Sequence, residues 1–166
     1  FAFDGCTGFD GSLESPEFIE IIERGAFKGC LNLQGNISIP EKVNMIKDEA
    51  FSGFSGFRYL DTKGSVRVFV RECFAGCSGL KSFLKISSSI TSIGNGAFTN
   101  CSVMNESLTF EASLSTISSR LFYGCFGFTG DLEISETVAL IGDEAFFNCS
   151  NFKGQLKMAP FVTVLD

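Results

Sequence analysis

The feature that most constrains the fold is a 24-residue repeat that runs through the whole chain. Segments that begin with Ala-Phe-x-x-Cys, or a close variant of it, follow one another every 24 residues, with one interval of 23 residues near Tyr59. A fixed period of roughly 20 to 50 residues is typical of solenoid proteins, in which each repeat forms one turn. The seven segments start at Ala2, Ala26, Ala50, Cys73, Ala97, Leu121 and Ala145.

Five positions of the repeat are apolar in every segment, which indicates a continuous core. The second position is always Phe, and the eighth, twelfth, eighteenth and twenty-first admit only apolar residues. A single segment cannot bury five such side chains alone, so neighbouring turns must stack on one another. We therefore expect residues 1–166 to form one array, truncated at both ends. The Phe column consists of Phe3, Phe27, Phe51, Phe74, Phe98, Phe122 and Phe146.

The pattern within one repeat predicts two extended pieces and one helical turn. Positions twelve and fourteen, as in Leu132 and Ile134, alternate with polar residues as a half-buried strand does, and should form a parallel sheet. A second short extended piece is expected near positions eighteen to twenty-one. The Ala-Phe-x-x-Cys piece is expected to be a single helical turn, because residues with cap-like side chains precede it in four segments, namely Asp48, Asn95, Ser119 and Asp143. The predicted fold is an α/β repeat solenoid with one short strand, turn and helical-turn unit per 24 residues.

Six of the seven cysteines share the fifth position of the repeat, and they favour a column of buried thiols that act as small apolar groups. Disulfides between stacked cysteines are the alternative, although the odd count and the unbroken column offer no natural pairing. Zinc is disfavoured because Cys73 and Cys77 have no second pair at ligand spacing and the chain has no His. We expect neither a metal nor a cofactor. The column comprises Cys6, Cys30, Cys77, Cys101, Cys125 and Cys149.

Catalysis is not expected of this segment, and no catalytic residue is assigned. The absence of His removes Ser-His and Cys-His nucleophile arrangements, together with the commonest general acid or base. The acid pairs Asp48 with Glu49 and Asp143 with Glu144 occupy the same position in two repeats, which indicates solvated turn residues. An enzyme carried elsewhere on a longer chain is the remaining alternative.

Charge and hydropathy disfavour nucleic acid and membrane as partners. The net charge is −6, and the basic residues are scattered without a cluster that could neutralise a row of phosphates. No apolar run approaches the roughly 20 residues that span a bilayer, so we expect no membrane insertion by this segment. In a secreted protein the N-x-[ST] sequons would be candidate glycan acceptors. They begin at Asn36, Asn100, Asn105 and Asn148.

The repeat resembles the BspA-type leucine-rich repeat over the whole chain. The likeness lies in the phrases AFKGCLNLQGNISIP, SITSIGNGAFTNC and VALIGDEAFFNC. The third segment departs from it, because Phe54 replaces the Cys and GSVRVFV replaces the usual Pro-to-Ile stretch, so a local bulge is expected there. The resemblance implies a leucine-rich-repeat superhelix belonging to large surface proteins that adhere to host cells, matrix proteins or other microbes. It brings no catalytic residues.

Because the family fold is a scaffold, function is expected in the exposed positions between the apolar columns. The thirteenth position lies between two strand residues, should point outward, and is here called the interaction stripe. Our hypothesis is that the stripe binds a protein ligand at the cell surface or after secretion, as part of an adhesin. The alternatives are that it only keeps the sheet soluble, or that the chain is a cytoplasmic scaffold for protein–protein interaction. The stripe consists of Glu14, Ser38, Asp61, Lys85, Thr109, Glu133 and Lys157.

Overall fold

The computed structural model describes residues 1–62, 64–81, 85–105 and 108–166, and in them the chain winds into a parallel β-solenoid of about six turns. Each full turn contributes one strand to each of two rows. The first row contains β2 (Gly35–Ser38), β4 (Phe57–Asp61), β6 (Lys85–Ile86), β8 (Thr109–Phe110), β10 (Leu132–Glu133) and β12 (Leu156–Lys157).

The second row lies near the end of each repeat and contains seven short strands in the described residues. They form a four-stranded sheet in the order β1-β3-β5-β7 and a three-stranded sheet in the order β13-β11-β9, with every pair parallel. This row is the second extended piece that the sequence predicts. Its strands are β1 (Ile21–Ile22), β3 (Met45–Ile46), β5 (Val68–Phe69), β7 (Ser92–Ile93), β9 (Thr116–Ile117), β11 (Leu140–Ile141) and β13 (Val164–Leu165).

The first row is also parallel, and its strands pair as three separate ribbons, β2 with β4, β6 with β8 and β10 with β12. Partners in the regular ribbons lie one repeat apart, as Leu132 opposite Leu156 shows. In the β2–β4 ribbon the register shifts, because Gly35 pairs with Phe57 and Asn36 with Tyr59. The extra residue of this β-bulge is Arg58, so the expected irregularity of the third segment is confirmed.

The Ala-Phe-x-x-Cys segment is not a helical turn, which corrects the expected α/β fold: none of the described residues lies in a helix. In residues 25–30 every second N–H group forms a hydrogen bond to another turn. Gly25, Phe27 and Gly29 donate to carbonyl oxygens of the following turn at 2.9 Å each. The N–H groups between them close local turns three residues back. An α-helix needs every N–H for its own i→i−4 ladder, and these stacked turns use half of them between repeats.

Left-handed backbone at two places per turn enforces this geometry. Gly25 and Gly29 have φ values of 56° and 68°, and in a later turn Arg120 and Gly124 have 57° and 70°. A residue with positive φ interrupts a right-handed helix, and Gly and Asn adopt positive φ most readily. The cap-like residues have another role: the carbonyl oxygen of Asp48, for example, accepts a hydrogen bond from Gly25 of the preceding turn.

The core is a set of stacked columns that run along the solenoid. Neighbouring rings of the Phe column are stacked, with centroids 5.3–5.8 Å apart and interplanar angles of 3–23°. Offset ring stacks at this spacing add attraction to the burial of apolar area. In interior turns the described members of the five apolar columns are buried or half-buried, whereas Phe3, Phe9, Leu156 and Leu165 of the end turns are exposed. Leu84 lies outside the described residues.

Candidate interaction surface

The interaction stripe lies on the first row of strands, where the register places its members side by side. Three pairs of Cα partners join six of its residues: Ser38 with Asp61, Lys85 with Thr109, and Glu133 with Lys157. Because side chains alternate along a strand, the apolar neighbours Leu132 and Ile134 point inward while Glu133 between them is exposed.

The exposure of the stripe varies little along the array. Ser38, Asp61, Glu133 and Lys157 are exposed and Thr109 is half-buried, while the side chain of Lys85 lies outside the described part of the structure. Glu14 is also exposed, although it lies in a segment without strand structure. The predicted residues therefore occupy one continuous position of the repeat, presented on three strand ribbons and one irregular turn.

Among the side chains that the structure describes, Glu133 and Lys157 of the stripe form an ion pair. Lys157 Nζ lies 3.8 Å from Glu133 Oε2, and the two side chains keep 53% and 72% of their exposure. An exposed pair at this distance is screened by water and contributes roughly 0–1 kcal/mol to stability. These side chains are consequently free to change partners when another molecule approaches.

Shallow grooves flank the stripe at two places. Glu14 and Ser38 line a groove of about 510 Å³, in which Lys42 Nζ lies 4.5 Å from the centre of the exposed Phe18 ring. Thr109 and Glu133 line a smaller groove of about 310 Å³ that also contains Asp131 and Glu136. The surface beside the stripe is therefore uneven, and side chains of a partner could fit into both grooves.

A larger groove of about 820 Å³ adjoins the stripe, and it is not among the features predicted from the sequence. Asn36 and Tyr59 line it and lie two residues before Ser38 and Asp61, so they share the outward face of β2 and β4. Tyr59 is 55% exposed. The available signal was composition, since the chain has 20 Phe and only two Tyr, and Tyr is favoured where a polar ring must meet solvent or a partner.

The cysteine column is a core feature. All seven thiols are free. Five thiols of the column donate to the carbonyl oxygen of the Phe in the preceding turn, as Cys125 Sγ does to Phe98 at 3.0 Å and Cys101 Sγ to Phe74 at 3.1 Å. Burial raises the pKa of the Cys101 and Cys125 thiols well above the ordinary value, and it raises the pKa of Cys149 to about 11. These thiols stay protonated near neutral pH, and a protonated thiol is a poor nucleophile and metal ligand.

The acid pairs of the turn segments contact cations of adjacent turns. A hydrogen bond from Lys28 lowers the pKa of the Glu49 carboxyl, and Arg71 lies 3.7 Å from Asp48. In the later turn Arg120 Nε donates to Glu144 at 2.7 Å. These partners lie 21 to 24 residues away along the chain, about one turn of the solenoid, so the ion pairs connect one turn to the next. In the described ranges no group of three or more His, Cys, Asp or Glu residues could hold a metal ion, and no helix could cross a bilayer.

Two solved structures of leucine-rich repeat proteins share this fold. The chain is similar to a leucine-rich repeat protein from Bacteroides ovatus, with 26% identity and a TM-score of 0.84, over 97% of this chain and 40% of that one. A leucine-rich repeat protein from Eubacterium ventriosum gives 20% identity and a TM-score of 0.51, over 87% of this chain and 32% of that one. A leucine rich cell surface protein from Faecalibacterium prausnitzii gives 18% identity and a TM-score of 0.47, over 96% of this chain and 62% of that one. No significant match was found among the curated proteins.

The repeats themselves match a family model. The model of the BspA type leucine rich repeat region matches in six copies, over residues 1–129 and 82–160. Repeat modules of this kind are generally non-enzymatic scaffolds that bind proteins. The chain spans less than half the length of the B. ovatus protein, so the activities of such whole proteins do not transfer to it directly. By its repeats and its fold, this chain belongs to the BspA-type leucine-rich-repeat family.

Proposed function

We propose that this chain is the protein-binding part of a cell-surface adhesin, and that the interaction stripe is its contact surface. The observation that carries the proposal is the contrast between constant and variable positions on the same strands. The twelfth position of the repeat is apolar in every turn, whereas the stripe next to it changes among Glu, Ser, Asp, Lys and Thr. A fixed backbone that displays a variable outer row is suited to recognising another surface.

The length of the stripe supports a protein-sized partner. Its residues extend over the six strands of the first row, and strands spaced about 4.8 Å apart give a row roughly 24 Å long. Both charge signs occur along it, with acids at Glu14, Asp61 and Glu133 and bases at Lys85 and Lys157. A mixed pattern of this kind steers a complementary partner and rejects others by like-charge contacts.

Binding can be tested with beads coated with this chain and applied to an epithelial cell layer. The variant Glu133→Gln/Lys157→Gln removes one acid and one base from the stripe without changing the net charge. The matched control is Glu23→Gln/Lys47→Gln, which removes a similar ion pair, 2.8 Å long, away from the first row. We expect the stripe variant to retain less than about one-third of the adhesion and the control to retain nearly all of it, since lost polar contacts at an interface cost roughly 1 kcal/mol or more.

Two results would count against the protein-binding proposal. Adhesion that survives trypsin treatment of the cell layer would show that the ligand is not a protein. Equal adhesion by the stripe variant and the unmodified chain would remove the stripe from the contact surface.

A cytoplasmic scaffold is the second candidate, and the seven free thiols favour it. Unpaired cysteines are usual in reducing compartments, whereas secreted domains more often form disulfides. Labelling of source cells with an antibody to residues 1–166, with and without permeabilisation, separates the two locations. Signal on intact cells supports the adhesin, and signal that requires permeabilisation supports the scaffold.

A further inference from the structure

A groove beside the interaction stripe crosses four successive turns of the solenoid, and its lining residues are not members of the stripe. It measures about 820 Å³, and it is lined by residues 10–12, 31, 32, 34–36, 55, 56, 58, 59, 79 and 81. With turns about 4.8 Å apart, it runs roughly 14 Å along the solenoid. That length suits a short linear chain of small units lying across the turns.

The groove forms at the turn where the repeat is irregular. Arg58 is the extra residue of the β-bulge, between the fully buried Phe57 and the 55% exposed Tyr59. A bulge changes the direction of side chains at one point of a sheet, and bulges occur often beside binding sites. Here the bulge leaves both the Arg58 and the Tyr59 side chains exposed at the groove.

The charge of the groove is opposite to that of the chain. Arg58 and Lys81 provide two cations and Asp10 one acid, in a protein with a net charge of −6. Neither cation forms an ion pair with another residue in the described part of the chain. An anionic ligand would therefore neutralise charges that the fold itself does not use.

The polar residues of the groove are suited to hydroxyl groups. Gln34 and Asn36 carry amides that both donate and accept, as a ligand hydroxyl does. The exposed ring of Tyr59 offers a flat apolar face, on which the C–H face of a sugar ring can lie. Rings of this kind provide contact area at a small cost in conformational entropy.

Backbone pairing disfavours an extended peptide as the occupant. Peptides that add a strand need unpaired N–H and C=O groups at a sheet edge. At two places in this groove the backbone is already paired between turns: Gln34 N–H donates to Gly11 at 3.0 Å, and Lys81 N–H donates to Arg58 at 3.1 Å. The side chains that line the groove include amides, cations and one aromatic ring, which suit a ligand other than an added strand.

We propose that this groove binds a short stretch of an acidic oligosaccharide. Arg58 and Lys81 contact its carboxylate or sulfate groups, Tyr59 stacks on a sugar ring, and Gln34 and Asn36 bind hydroxyls. The groove adjoins the stripe, so the module would contact a glycan and a protein on neighbouring parts of one surface. The glycan site does not depend on the stripe's function.

The experiment is affinity electrophoresis of the whole chain through gels that contain one polymer each. The polymers are polygalacturonate, which offers carboxylates, heparin, which offers sulfates, neutral dextran, and poly-glutamate as an acidic peptide. Production in bacteria leaves Asn36 without an attached glycan. The test variant is Arg58→Gln/Lys81→Gln, and the matched control is Arg67→Gln/Lys153→Gln, which removes two exposed cations outside the groove.

We expect at least one acidic polysaccharide to retard the chain, and the groove variant to bind it roughly tenfold more weakly, because each lost charge-assisted contact is a strong one. The control should bind as the unmodified chain does. Tyr59→Ala should weaken binding severalfold and Tyr59→Phe should preserve it, since the ring is retained. Retardation by polygalacturonate alone identifies carboxylates as the recognised groups, and retardation by heparin alone identifies sulfates.

Four outcomes would overturn the proposal. They are no retardation by either acidic polysaccharide, equal retardation by dextran, equal retardation by poly-glutamate, and equal weakening by the control variant. The thermal unfolding midpoint of every variant is measured in parallel, and Tyr59→Phe provides a variant with minimal disturbance of the fold. Loss of cell adhesion in the stripe variant with unchanged glycan binding would separate this site from the proposed protein-binding surface.

Discussion

The third and sixth turns fill the same core position in two different ways. In the sixth turn Cys125 occupies it, and its thiol donates to the carbonyl oxygen of Phe98 at 3.0 Å. In the third turn Phe54 takes its place and stacks on Phe57, with ring centroids 4.0 Å apart and an interplanar angle of 10°. Both solutions are fully buried. The comparison shows that the column requires apolar volume more strictly than it requires a thiol.

The irregular turn differs on its outer surface as well. It is one residue shorter than the others, it contains the Arg58 bulge, and it exposes Tyr59. The sixth turn has a regular ribbon, in which Leu132 and Glu133 pair with the next turn without a shift. The substitution inside the core therefore coincides with the groove of about 820 Å³ outside, which indicates that one turn combines a repacked core with a specialised surface.

The largest effect is expected from a substitution that leaves a cavity in the regular part of the core. Phe98 is fully buried and stacks between Phe74 and Phe122, with centroids 5.5 and 5.8 Å away. Phe98→Ala should lower the free energy of unfolding by about 3–5 kcal/mol, because it removes buried area and leaves a cavity between two rings. Urea unfolding measures the loss.

The matched control for this prediction is Phe3→Ala, at the open end of the same column. Phe3 is 44% exposed and stacks on one ring of the column, that of Phe27. Its loss should cost about 1 kcal/mol or less, in proportion to the smaller buried area. Equal destabilisation by the two variants would mean that ring stacking, and not position in the core, determines the cost.

Much of this core could be predicted from the sequence, and the turn geometry could not. Periodicity and burial alone were enough to predict the five apolar columns and both extended pieces, and the structure contains them. The prediction of a helical turn was wrong. The Gly or Asn at the fourth position, as at Gly29 and Asn100, has left-handed backbone, which interrupts a right-handed helix. In the sequence this residue is only a recurrent member of the repeat, and its positive φ is a property of the folded backbone.

The candidate surface was predictable in part, for a related reason. Strand alternation places the exposed members of the stripe outward, and the third-segment bulge was expected from GSVRVFV and Phe54. The groove needs the actual register, since Arg58 becomes the extra residue only when Tyr59 pairs with Asn36. Register depends on how neighbouring turns stack, which one sequence does not specify. The binding role of the stripe stays a prediction.

A smaller effect is expected when the third turn is made to match the others. Phe54→Cys restores the repeat pattern, yet we expect it to lower the free energy of unfolding by about 2–3 kcal/mol, because it removes a ring that packs against two others. The reverse change, Cys125→Phe, should cost about 1–3 kcal/mol through overpacking. Urea midpoints measure both changes. A Phe54→Cys variant with an unchanged free energy of unfolding would show that the core of the third turn does not depend on the Phe54 ring.

The smallest effect concerns the thiols that the third turn lacks, and it depends on pH. Burial raises the pKa of Cys149 to about 11 from an ordinary value of 9.0. Between these two pH values the thiol of the unfolded chain loses its proton while that of the folded chain keeps it. The folded state then binds more protons, so its stability is complete below about pH 9 and falls as pH rises toward 11.

The measurement is the urea midpoint near neutral pH and again near pH 10.5, for the unmodified chain and for Cys149→Ala. Both proteins share the titration of their Tyr and Lys residues, so the difference between their two losses isolates the thiol. Cys149→Ala should lose less on alkalinisation. Identical losses would show that the Cys149 thiol ionises as readily in the folded chain as in the unfolded one. Its hydrogen bond to the Phe122 carbonyl, 3.1 Å long, then could not be holding a protonated thiol. In that case the thiol of the seventh turn would differ from the Phe54 solution in size alone, and its hydrogen bond to the turn before it would have no energetic role.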